Sequence, residues 1–178
     1  MGAAVFPQIN KLLKAQGRKL NAGWLLTMVD TYLPYGGPPA PEKQSLILQK
    51  VESEYTKIAE QIEGLEDVTT PSSLFSSICH GLLYGGFIRS LPDIDSHFTV
   101  DDTCNACQTC VKICPLENIQ LVDDKPQWQH HCSFCLGCIH FCPKHAIQIE
   151  ERHRNKTRYH HPAITIKDME WLHLGTNP

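Results

Sequence analysis

The chain has 178 residues, 42% of them hydrophobic and 20% charged, with a formal net charge of −3 at neutral pH. That length allows one domain or two small ones, and the near-neutral balance gives no general affinity for nucleic acid or for an anionic membrane surface. No apolar run approaches the roughly 20 residues of a membrane-spanning helix, and the start MGAAVFPQINKLLK lacks the basic opening and clean apolar stretch of a signal peptide.

In chain order, residues 3–16 carry a helical pattern that Gly17 can end as a C-cap. The run LNAGWLLTMV (20–29) is continuously apolar enough to predict a buried strand. DTYLPYGGPPAP (30–41) is rich in proline and glycine and reads as loop. A long charged helix is expected over 42–63, with Leu46, Val51, Ile58 and Ile62 as its packing positions, and a second, apolar helix over 71–90, bent near Gly85 and Gly86. One buried strand among helices is not a domain, because a parallel strand needs neighbours on both sides. The missing strands are expected from elsewhere in the protein or from another chain. Cys79 and His80 lie on the apolar helix, where a lone cysteine reads as a small buried hydrophobe rather than a nucleophile.

Eight of the nine cysteines fall between Cys104 and Cys142. A chain without a secretion signal is expected in the cytoplasm, where clustered cysteines are metal ligands or redox groups rather than disulfides. DDTCNACQTCVKICP (101–115) alone leaves zinc, an iron–sulfur cluster and redox catalysis open. The pattern then recurs as CSFCLGCIHFCP (132–143), so that both copies read C-x2-C-x2-C-x3-C-P at an offset of 28 positions. Such a repeat predicts two structural halves related by approximate symmetry. Structural zinc sites join two C-x2-C pairs across a long spacer, as tetrahedral geometry requires. Three thiolates at three-residue intervals instead wrap one side of a cube, while Pro115 and Pro143 turn Cys114 and Cys142 out of helical geometry. The flanks HFTVD (97–101), IQLVD (119–123) and AIQIE (146–150) alternate as strands do, and Asp123, Asp124, Lys125 and Pro126 make a turn toward PQW. The prediction is a β-α-β unit twice, with short helices after Cys110 and Cys138.

The spacing resembles that of bacterial ferredoxins holding [4Fe–4S] clusters, in which the fourth cysteine of each run ligates the other cluster. The resemblance assigns Cys104, Cys107, Cys110 and Cys142 to one cluster and Cys132, Cys135, Cys138 and Cys114 to a second. It departs from that pattern in one respect. Glycine often stands between the cysteines of these proteins, whereas here only Gly137 does so, with Ala106 and Gln108 in the first loop. About 55 residues bury little apolar surface alone, so cluster assembly and folding are expected to be coupled.

With KPQW before the second run, RYHHPAIT (158–165) and GAAVFPQINKLLKAQGRKLNAGWLLTMVDTYLP near the start, the chain resembles fusions of a flavodoxin-like domain to a two-cluster ferredoxin. The resemblance implies an α+β protein in four segments. They are a partial flavodoxin-like remnant (1–40), a helical connector (41–96), a 2×[4Fe–4S] ferredoxin domain (97–151) and a basic C-terminal extension (152–178). It also puts Met28, Asp30 and Tyr32 on a remnant flavin-side loop. The family pattern opens earlier, with a strand and a Ser/Thr/Gly/Asn loop that cradles the flavin phosphate. The only similar letters here, GTNP, form the C-terminal tail. The resemblance therefore implies an N-terminally truncated product or a misplaced start, with FMN bound only if the missing part is supplied.

Other residues have milder readings. His130, His131 and His140 are expected to pack or hydrogen-bond around the clusters, and Trp128, Phe134 and Phe141 to shield them from water. The run RHRNKTRYHH (152–161) faces a stretch, residues 97–151, with seven acids and three lysines. It reads either as a strap that lowers the cost of adding an electron or as a docking site for an acidic partner. Thr165 and Asp168 have capping-box spacing, so a last short helix is expected. The function expected from all this is relay of single low-potential electrons between redox partner proteins, as a carrier rather than a catalyst on its own. The alternatives are a fragment of a flavin-dependent iron–sulfur oxidoreductase and an interaction module with structural clusters.

Overall fold

The computed structural model describes residues 5–68 and 74–174, and the side chains of all of these but 74–81 and 171–174. Cys79, His80 and the GTNP tail lie outside the described side chains. The chain divides into two units, one of Met1–Val29 with Pro39–Ile88 and the other of Asp30–Pro38 with Arg89–Pro178. The 1–40 segment drawn from sequence is thus divided, its loop belonging with the cysteine-bearing half. No helix among the described residues is long and apolar enough to cross a membrane.

In the first unit, α1 (Val5–Lys14) ends where the sequence says it should. Gly17 takes φ +70°, its N–H donates to the Lys14 carbonyl, and the Arg18 N–H reaches back to Leu13. This is the Schellman arrangement, and it satisfies two carbonyls that the helix end leaves open. The strand expected over 20–29 does not form. The segment has no regular secondary structure beyond a single bridge at Gly23, whose N–H donates to the Val68 carbonyl at 2.7 Å. No neighbouring strand runs beside it among the described residues, so Leu25 and Met28 stay exposed. An apolar run cannot make a sheet without a partner edge. Gly23 is held instead by close approach, since a β-carbon there would come within 2.7 Å of the Phe6 ring.

Helix α2 (Pro41–Glu63) opens on a proline, whose missing N–H costs nothing in the first turn. Val51 is buried as expected, but Leu46 and Ile62 are exposed. The less exposed stripe runs through Gln44, Ile47, Leu48, Val51, Glu54, Ile58 and Gln61, a turn-by-turn face that the hydrophobic residues mark only in part. Gln61 belongs to it because its side-chain carbonyl accepts the Trp24 indole N–H at 2.8 Å. Helix α3 (Leu74–Ser90) continues through Gly85 and Gly86.

The second unit contains the repeat. Its strands are β1 (Thr99–Val100), β2 (Ile119–Val122), β3 (Lys125–Trp128) and β4 (Ile147–Gln148), and they pair antiparallel as β1 with β4 and β2 with β3. The first strand of each half therefore pairs with the last strand of the other, which interlocks the halves. Between β2 and β3, Asp123 and Asp124 both have positive φ, +48° and +60°. A two-residue hairpin turn of that kind matches the strand twist. Helices α4 (Thr109–Lys112) and α5 (Gly137–His140) are single turns that contain Cys110 and Cys138 rather than following them.

The core consists of Leu33, Phe98, Leu136, Ile139, Ile147 and Ile149, with Tyr32, Trp128, Phe134 and four cysteines packed against it. Leu33, from the proline-rich loop, is completely buried there. The last helix, α6 (Ile166–Leu174), is capped reciprocally. Thr165 donates its N–H and its hydroxyl to Asp168, and the Asp168 N–H approaches the Thr165 oxygen at 3.4 Å.

Candidate metal centre

The two cysteine loops have the same backbone path. Ala106 and Phe134, Gln108 and Leu136, and Glu117 and His145 each sit 28 positions apart, and all six take φ between +51° and +62°. A left-handed conformation at a residue bearing a β-carbon costs about 1–2 kcal/mol. Glycine is therefore missing where the path most favours it. Gln108 is exposed at the edge of the recess that Cys104, Cys107 and Cys110 line. Gln108→Gly is expected to gain about 1 kcal/mol by removing this strain, read as slower loss of visible colour in anaerobic denaturant. An unchanged or faster loss would show that the loop is not strained there.

Each loop then enters its one-turn helix and leaves it at Ile113 and Phe141, whose dihedrals are nearly the same (φ −93°, ψ 0° and φ −90°, ψ 1°). Cys114 and Cys142 follow, outside the helices. Three sulfurs accept backbone N–H groups at 3.3 Å: Cys114 from Asn118, Cys142 from Ala146, and Cys132 from Phe134. The first two of these are again equivalent across the repeat.

The eight cysteines of the runs are free thiols, with Cys107 and Cys135 the exposed ones. They sort into two recesses. One is lined by Cys104, Cys107, Cys110 and Cys142. The other is lined by Cys114, Cys132, Cys135 and Cys138. The two are of nearly equal size. Among the described residues no three His, Cys, Asp or Glu side chains group as the ligands of a single metal ion. Four thiols spaced around a recess, with N–H groups aimed at sulfur, suit a sulfur-rich inorganic cluster.

The electrostatics follow the same grouping. Burial pushes the Cys110 thiol up to about 11, and the nearby Cys107 and Cys142 sulfurs add to the shift. Burial likewise raises Cys132 to about 11, with Asp95, Cys135 and Cys114 contributing. Cys138 is pushed up by burial and then by Cys135, Cys110, Cys132 and Cys114, so the two recesses are neighbours. Cys107 goes the other way. Burial opposes its ionisation, but hydrogen bonds from the Thr109 hydroxyl and backbone outweigh it. Thiols held protonated by burial must lose those protons to bind metal, so loading is coupled to proton release.

Sequence reasoning missed Asp95 and Asn118, which organise the second recess. Asn118, 1% exposed, donates its side-chain N–H to Asp95 at 2.8 Å and accepts the N–H groups of Gln129 and His131. His130 donates Nδ1–H to the other Asp95 oxygen at 2.8 Å. The stretch leading into Cys132 is thus tied to the residue whose N–H meets Cys114. An asparagine four places after a cysteine reads as turn, and nothing in sequence links it to an aspartate 23 positions away.

His140 is buried and held neutral by that burial, with Nε2–H donating to the Thr31 carbonyl and Nδ1 accepting from the Tyr159 N–H. Trp128 and Phe134 surround Phe98, while Phe141 stacks on His160 at 4.6 Å. Of the residues expected beside a flavin, Met28 is exposed in the first unit. Asp30 accepts the Tyr32 N–H. Tyr32 stacks on Tyr35 and meets Phe134 edge-on at 5.8 Å.

The basic run separates into two kinds of residue. Arg152 pairs with Glu150, Arg154 bridges Glu151 and Asp101, and the Lys156 ammonium donates to the Leu33 carbonyl. Arg158 points inward, to the Ile147 carbonyl and the Gln148 side chain.

Compared with known proteins, no curated protein and no solved structure matches this chain. Residues 103–147, which include all eight cysteines of the two runs, match the family model of the 4Fe-4S dicluster domain, and this part of the chain is an iron–sulfur domain of the ferredoxin kind.

Proposed function

We propose that the chain relays single low-potential electrons through two [4Fe–4S] clusters, ligated crosswise by the two cysteine runs. The observation that carries the reading is the sorting of the thiols. Each recess takes three cysteines from one run and the fourth from the other. A bound cluster supplies reversible one-electron chemistry at iron. The protein's share is to fix the thiolates, exclude water and set the local field. Cys110, Cys132, Cys138 and Cys142 are packed against the apolar core, and backbone N–H groups stabilise added negative charge on three sulfurs. Cys107 and Cys135 are exposed, one in each recess, so a redox partner protein can approach either set closely. With four cysteines per recess, ligation leaves no iron open for a substrate. That favours a carrier over a catalyst, in a thiol-reducing compartment such as the cytoplasm. Tyr32 fits this reading as part of the packing over Phe134 rather than as a flavin contact.

The test is anaerobic preparation followed by metal analysis and titration with dithionite. About eight irons and eight sulfides per chain are expected, with a broad brown absorbance that bleaches reversibly. Colourless protein with stoichiometric zinc after iron-replete preparation would end the reading. Intact clusters that no reductant reaches would leave only a structural role.

A further inference from the structure

Arg158 is the only arginine of the basic run that makes no ion pair with a carboxylate among the described residues. Its NH2 group donates to the Ile147 carbonyl and to the Gln148 side-chain oxygen, both neutral acceptors on β4. Its other two nitrogens, Nε and NH1, are buried and have no protein acceptor. The next residue, Tyr159, is pinned by its N–H to Nδ1 of His140, which lies between Cys138 and Cys142 in sequence. Strand β4 in turn follows Ala146, whose N–H meets the Cys142 sulfur. The guanidinium thus rests on the strand after Cys142, and the residue that follows it is tied to the one-turn helix that carries Cys138.

A guanidinium does not give up its proton in a protein, so a half-buried one needs an anion nearby. Burial works against its charge, and negative charge on the Cys142 and Cys138 sulfurs would work for it. Those two cysteines belong to different recesses.

We propose that Arg158 is the half-buried counter-ion of the cluster pair, its Nε–H and NH1–H groups left without any protein acceptor, cysteine sulfur included, and that it raises the reduction potential of the clusters. This rests on the electron-carrier reading and extends it to a specific residue. The balance is simple: the reductant gives one electron to a cluster, no bond forms or breaks, and the fixed positive charge stabilises the product. The separation within the basic run follows from the same point. Arg152 and Arg154 neutralise surface acids, whereas Arg158 offsets the charge of the redox centre itself.

The test is the midpoint potential of the anaerobic, cluster-loaded protein, followed by absorbance and electron paramagnetic resonance, in wild type and in Arg158→Gln, Arg158→Lys and Arg152→Gln. The reduction equilibrium of at least one cluster should shift about tenfold against reduction in Arg158→Gln, about 59 mV for a one-electron couple. Arg158→Lys keeps the charge and should shift by less than about threefold. Arg152→Gln removes an exposed, paired charge and should shift by less than about twofold. Iron content must stay at the wild-type level for each comparison. If Arg158→Gln assembles fully and its potential is within twofold of wild type, the proposal is wrong while the carrier reading stands. If Arg158→Gln loses its clusters, the lysine variant decides. Near-wild-type potential supports the counter-ion role, and a tenfold loss or a second failure to assemble overturns it in favour of a purely structural arginine. Wild-type clusters that cannot be reduced at all would overturn the carrier reading and this role together.

Discussion

Cys142→Ser is expected to lower the iron content from about eight to about four per chain, and the loss should fall on the cluster held by the distant Cys104, Cys107 and Cys110. The reason is the lining of the recesses, where Cys142 joins the first run and Cys114 joins the second. Serine keeps the shape but is a poor ligand for iron at neutral pH, since its hydroxyl is far harder to deprotonate than a thiol. Double variants make the assignment without spectroscopy. Cys142→Ser with Cys107→Ser should cost no more iron than either change alone, because both act on one cluster. Cys142→Ser with Cys135→Ser should remove nearly all of it. Non-additive losses mark shared sites and additive losses mark separate ones. If the pairs behaved the other way round, each run would ligate its own cluster and the crossed arrangement would be wrong.

Stripping the metal should unfold the second unit while leaving the helices of the first in place. Among the described residues the main apolar cluster of the second unit has six members, and four of the partly buried groups packed on it are cysteines. The stretch that carries the cysteine runs, about 55 residues, buries little apolar surface alone and is marginal without help. Without metal, the eight thiols of the recesses are polar groups around unfilled space, and several left-handed residues add strain with nothing to offset it. The first unit has its own ties: the Phe6 ring on Gly23, Trp24 to Gln61, and Lys19 and Asn21 to Asp67. Hydrogen exchange after anaerobic chelation should therefore show β1 to β4 exchanging like unfolded chain, with α2 still protected. Retained protection across β2 and β3 in the iron-free protein would show that the fold stands without its clusters.

The iron–sulfur character of residues 103–147 and the short strands that flank the cysteine runs were legible in the letters. A tetrathiolate loop allows few alternatives, because ligand type and spacing are chemical constraints that act over a dozen residues. Local signals of the same kind placed the Gly17 cap, the turn at Asp123 and Asp124, and the Thr165–Asp168 box around the α6 start. Where the reading failed, the deciding contacts were long-range. Residues 20–29 have the composition of a strand, but a strand exists only when another edge is beside it, and composition does not supply one. Leu46 and Ile62 are hydrophobic yet exposed, since burial on a helix follows the face that meets a neighbour rather than residue type. Leu33 in the core, the Asp95–Asn118 pair behind Cys132, and the inward turn of Arg158 all join segments far apart in sequence. Sequence alone determined which atoms are available to hold the metal. Only the tertiary structure decided which buried charges and hydrogen bonds surround it, because those depend on where chain closure brings distant side chains together.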